Sequence, residues 1–97
     1  MEKATNGRIV HYVLANGKHR PAIVVEDWQD GETVNLQVFL DGSNDATAEL
    51  HDGSAGVVFE HERTVGIAWR TSVAYADAKK KLAGSWHWPE REAATKE

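Results

Sequence analysis

Thr33–Gly42 reads T-V-N-L-Q-V-F-L-D-G, with Val34, Leu36, Val38 and Leu40 alternating with Thr33, Asn35, Gln37 and Phe39. A period of two that closes on Asp-Gly predicts a strand with one buried face and a turn behind it. The second face is unusual for a solvated strand: it carries two primary amides and an aromatic ring instead of Lys, Glu or Ser. Asn35 and Gln37 are suited to reading the edge of a planar polar ligand, and Phe39 to covering its face. Bonding to neighbouring loops is the plainer use of the same amides.

The chain upstream builds the partners of this strand. Arg8–Ala15 is rich in β-branched and aromatic residues. Asn16-Gly17 predicts a type I′ hairpin turn, and Arg20–Glu26 is the returning strand, with Pro21 at its start or on an edge. Downstream, 41–54 is a polar loop. Ala55–Glu60 and Thr64–Val73 read as strands four and five. Ala74–Ala83 has helix-forming composition, with Gly84 as its stop, and Ser85–Pro89 is extended because residues before proline avoid the helical basin. The expected fold is therefore mainly β: a small, strongly bent, antiparallel five-stranded barrel of the Src-homology-3 or oligonucleotide-binding kind, with one short helix near the C-terminus. The 97 residues form one domain, with 1–7 and 92–97 as flexible tails.

Composition excludes several classes. There is no cysteine, so no disulfide framework and no thiolate chemistry is available. A formal charge of −4 argues against a long nucleic-acid track, and Lys79-Lys80-Lys81 is too small a basic run to reverse that. No apolar stretch approaches a membrane span. The first residues lack the apolar core of a signal peptide, which makes the cytoplasm the expected compartment. His61-Glu62 lacks the second histidine of a zinc-protease helix. His51-Asp52 with His61 has weak metal spacing, and Ser54, His51 and Asp52 form a triad only on paper. No G-x-S-x-G elbow and no phosphate loop occur. No catalytic residue, metal site or cofactor is expected.

Trp28, Trp69, Trp86 and Trp88 are many tryptophans for this length. In an extended segment Trp86 and Trp88 face one way and His87 the other; they serve either as a clamp on the core or as a stacking platform. His11 interrupts the apolar stripe of Ile9 and Val13, as a satisfied imidazole or as a ligand contact. Arg20 and Arg70 are candidates for bidentate anion recognition, with surface solubility the alternative.

The segments R-I-V-H-Y-V-L-A-N-G-K-H-R-P-A-I-V-V (Arg8–Val25), V-N-L-Q-V-F-L-D-G (Val34–Gly42) and G-S-W-H-W-P-E-R (Gly84–Arg91) resemble a group of small, mostly uncharacterised phage and prophage proteins. The resemblance implies a phage origin and action inside a bacterial cell, and it carries no activity or site. Residue types suggest a non-enzymatic binder of a planar, anionic, nucleotide-like molecule, in effect a sponge for a host immune signal. Tyr12, Arg20, Asn35, Gln37, Phe39, Trp86 and Trp88 would line the site, with His11 and His87 as polar contacts. A domain this small is expected to share such a site across a homo-oligomer. The rival readings are a virion or host-protein interaction module and, more weakly, an enzyme with a histidine acid/base.

Overall fold

The computed structural model describes residues 3–46 and 55–90. Its elements are β1 (Ile9–Val13), β2 (His19–Asp27), β3 (Val34–Phe39), α1 (Glu60–Val65), β4 (Ile67–Val73) and β5 (Trp86–His87), with a single 3₁₀ turn over Ala78–Lys80. The strands form one antiparallel sheet in the order β4-β3-β2-β1-β5. The mainly-β expectation is met, but the barrel does not close. β4 and β5 are the sheet's two edges, linked among the described residues by a bridge from Tyr75, just past β4, to Trp86.

One face of the sheet is the core. Val10 and Tyr12 of β1, Ala22 and Val24 of β2, Val34, Leu36 and Val38 of β3, Ala68 and Val73 of β4 and Trp86 of β5 are all buried there. Val58 and Ala4 pack against them. Ala4 is buried and the Gly7 N–H donates to Val24 O at 2.7 Å, so residues 3–7 are tied down and do not fray. Residues 92–97 lie outside the described residues.

Three element assignments change, each for a physical reason. Ala55–Glu60 is no strand, because β4 takes the free edge of β3 directly. Val57 and Val58 instead pass buried beneath the sheet. Gly56 lies flat on β1: the N–H of Ala15 donates to its carbonyl at 2.9 Å, and a Cβ there would fall 2.6 Å from that same nitrogen. The helix forms at Glu60–Val65, where the Glu62 carboxylate accepts the Phe59 N–H at 3.1 Å and Gly66, in the left-handed region, ends it. Ala74–Ala83 does not become a helix, since the Ala74 carbonyl and the Ala76 N–H are spent on Trp86. What remains is the 3₁₀ turn, capped by Asp77, and a segment this short does not hold a helix without packing.

The β1–β2 connection also differs. The Leu14 N–H donates to Lys18 O, leaving a three-residue loop of Ala15, Asn16 and Gly17, with only Gly17 in the left-handed region (φ 87°). That is the geometry of a type I turn with a glycine bulge, not a type I′ turn.

Candidate metal centre

The loop register places Val13 opposite His19, Tyr12 opposite Arg20 and His11 opposite Pro21. On the other side of β1, His11 pairs with His87. Directly paired residues share a sheet face, and so do residues two apart. His11, His19 and His87 therefore converge on the face opposite the core, at the β5 edge. Glu90, three residues beyond His87, reaches all three rings with its carboxylate.

The four side chains form a compact donor set. One potential ligand atom from each of His11, His19, His87 and Glu90 lies within 4.8 Å of every other. Glu90 Oε1 is 3.0 Å from His11 Nδ1, 3.2 Å from His19 Nδ1 and 3.0 Å from His87 Nε2, and Oε2 is 3.0 Å from His19 Nδ1. Zinc–nitrogen bonds of 2.0–2.1 Å imply a tetrahedral ligand–ligand edge of about 3.3 Å. The carboxylate-to-imidazole distances are already near that value.

The rings are in mutual contact, His19 and His87 being closest at 4.6 Å between centroids. Burial is graded: His87 is almost fully enclosed, His19 and His11 are partly so, and Glu90 is the most open. Burial alone would raise the Glu90 carboxyl. Hydrogen bonds from His87, His11 and His19 outweigh it and bring the group down to about 2. Glu90 is thus an anion at neutral pH. Three imidazoles around one carboxylate can share its charge through N–H donation. The same nitrogens, carrying lone pairs, can ligate a cation.

The other nominated residues do not assemble into one pocket. Tyr12 and Trp86 are buried in the core, and burial raises the Tyr12 phenol despite the nearby Arg70 guanidinium. Trp86 donates its indole N–H to Glu32 O at 2.6 Å. Arg20 is engaged by Asp45, with Nε to Oδ2 at 2.7 Å and Nη2 to Oδ1 at 2.8 Å. Arg70 is likewise held by Glu62. Trp88 packs edge-on against Trp86 beneath the Arg8 guanidinium. Asn35 Oδ1 accepts from Trp28 Nε1 and from the Ser72 N–H. Only Gln37 and Phe39 project freely, on the face opposite the core, beside Trp69 and Ile67.

Of the four donors, His11 and His87 are nominated from sequence, as polar contacts of a nucleotide-like ligand and not as metal ligands; His19 and Glu90 are not nominated. No metal ligands were expected, and the donor set lies where none was sought. His61 projects from α1 and stacks on Phe59; His51, Asp52 and Ser54 lie outside the described residues. Comparison with protein-family models, with characterised proteins and with solved structures finds no match.

The fold and the site together define a small open-sheet protein with a three-histidine, one-carboxylate centre at one sheet edge.

Proposed function

We propose that this is a non-enzymatic metal-binding protein that holds a divalent ion of the zinc class through His11, His19, His87 and Glu90. The observation that carries the reading is the convergence of three imidazole nitrogens on one carboxylate at 3.0–3.2 Å. Nitrogen-rich sets with one hard oxygen suit Zn²⁺, Co²⁺, Ni²⁺ or Cu²⁺ better than Mg²⁺ or Ca²⁺. Four protein ligands make a closed centre of the structural type, with no position reserved for substrate. Its ligands come from β1, β2, β5 and the segment beyond, so the ion would clip the C-terminal part of the chain to the first hairpin. Cross-links between segments far apart in sequence restrict the unfolded chain most.

The test is calorimetric titration with Zn²⁺, with Co²⁺ absorption as a reporter of tetrahedral geometry. One ion per chain is expected. At 100 times its dissociation constant it should add about 2.7 kcal/mol of stability, a rise of about 10–20 °C in Tm. His19→Ala should weaken binding by about 100-fold or more, since even outer-shell partners are worth 10–100-fold. His61→Ala, remote from the centre, should leave it unchanged. Absence of binding, or equal binding by the His19 variant, would overturn the assignment.

A second reading, a protein-interaction module, is favoured by the bare sheet face. Ile9, Ile67, Trp69 and Phe39 are exposed there around Gln37, an uncharged apolar group of the sort that marks interfaces. The nucleotide-like ligand finds less support on that face, because Gln37 and Phe39 have no lysine or arginine among these positions to meet a phosphate.

A further inference from the structure

The β2–β3 connection is built independently of the histidine centre and carries its own concavity. Glu26, Asp27, Trp28, Gln29 and Asn35 line a shallow, widely open hollow of about 570 Å³. Trp28 is 54 % exposed, yet it is not loose. Its backbone N–H donates to Thr33 O at 2.9 Å and its indole N–H to Asn35 Oδ1 at 3.0 Å. Both ends of the residue are fixed, so the ring is a standing aromatic surface whose exposure no packing demand of the fold explains.

The charged residues that line the hollow are both carboxylates. Glu26 and Asp27 line the hollow, and among the described residues neither carboxylate is paired with a cation: Glu26 accepts the Asn6 amide at 3.2 Å, and Asp27 accepts the Gln29 N–H at 3.0 Å. Asp30 and Glu32 follow in the same turn. Residues 21–62 contain no lysine and no arginine. Lys3, whose stem passes Gly31, is not part of the lining. An aromatic face with carboxylates beside it attracts a positive charge and repels an anion.

We propose that this hollow binds an organic cation, a guanidinium or alkylammonium group, with Trp28 against its face or methylene stem and Glu26 and Asp27 as counter-charges. The same chemistry is offered by an arginine or lysine side chain on a partner protein and by a free polyamine. Asn35, nominated from sequence as a reader of ligand edges, acts here as a positioning residue that holds the indole. The site takes a ligand opposite in charge to a nucleotide.

The test follows the Trp28 indole N–H and the Gln29 backbone amide by ¹⁵N-resolved NMR, on the full chain. The probes are spermidine, N-acetyl-arginine amide and, as an uncharged control, methyl glucoside. Both cations should give saturable shifts at these two groups that weaken as salt is raised. A larger response to the arginine probe points to a protein partner, and a larger one to spermidine to a free amine; either supports the cation site. Glu26→Gln, which keeps the oxygen facing Asn6, should weaken binding by up to about fivefold. Trp28→Ala, followed at Gln29, should weaken it by about two- to fivefold. Shifts with the glucoside and not with the cations, or no shift with any probe, would overturn the proposal.

Discussion

Trp86→Ala is expected to lower the unfolding free energy by about 3–5 kcal/mol, the range for removing a large aromatic side chain from a core. Trp86 has no exposed surface. Its ring meets Tyr75 at 5.0 Å and Trp88 at 5.6 Å between centroids, both edge-on. Its backbone makes the hydrogen bonds to Ala74 and Ala76 that join the end of β4 to β5, and its indole N–H binds Glu32 O, 54 residues away. The substitution therefore opens a cavity, orphans a carbonyl and loosens a link between the sheet's two edges. Small domains hold about 5–15 kcal/mol in total, so a loss of this size leaves the protein near its unfolding threshold. Urea denaturation followed by far-UV circular dichroism measures it, with Trp28→Ala, an exposed tryptophan, as the comparison expected to cost under about 1 kcal/mol. Equal costs for the two would mean that Trp86 is no core residue and would return it to the list of ligand contacts.

That contrast shows what the sequence could and could not reveal. Alternation in β3 correctly placed Val34, Leu36 and Val38 inside, and the two-residue spacing of Trp86 and Trp88 correctly opposed them to His87. Alternation states which side chains share a face, but not which face is covered. Tyr12 and Trp86 looked like pocket aromatics because nothing in the pattern says that the segment from Gly56 to Val58 covers their side of the sheet.

The histidine centre was hidden by one residue of register. A two-residue turn at Asn16-Gly17 would set Leu14 opposite His19 and Val13 opposite Arg20. His19 would then share the face of Tyr12, and Arg20 that of His11. The observed three-residue loop shifts each pair by one, and a slip of one residue moves every side chain of a strand to the opposite face. It brings His19 beside His11 and sends Arg20 toward the core. Glu90 could not be foreseen, since strand alternation would carry it to the side of Trp86 and Trp88, away from the histidines.

Arg20 is where that change of face has its largest energetic consequence. Arg20→Ala should cost about 3 kcal/mol, the lower end for breaking a buried ion pair by deleting one partner. The Asp45 side chain is fully buried, whereas that of Arg20 is about one-fifth exposed. Removal of the guanidinium leaves a buried carboxylate that, among the described residues, keeps the Asp41 N–H, at 2.7 Å, as its support. Burial pushes the Asp45 carboxyl up, but the paired hydrogen bonds from Arg20 and the Asp41 N–H outweigh it and hold the group below the usual aspartate range; the same pair raises Arg20. A lowered carboxyl stabilises the fold above its ordinary value and loses that contribution as pH falls through the folded value. The gap in stability between wild type and Arg20→Ala should therefore be widest near neutral pH and close in acid, starting where the burial-raised carboxyl of the variant takes up its proton and ending once Asp45 of the wild type is protonated as well. Arg20→Lys, which keeps the charge without the two-pronged geometry, should recover only part of the loss. Urea midpoints across this pH range decide the matter. A cost under about 1 kcal/mol with no acid dependence would mean that the pair is solvated and that Arg20 is free to meet a phosphate after all. The full cost, vanishing in acid, would assign this arginine to pinning the segment after β3 onto the sheet.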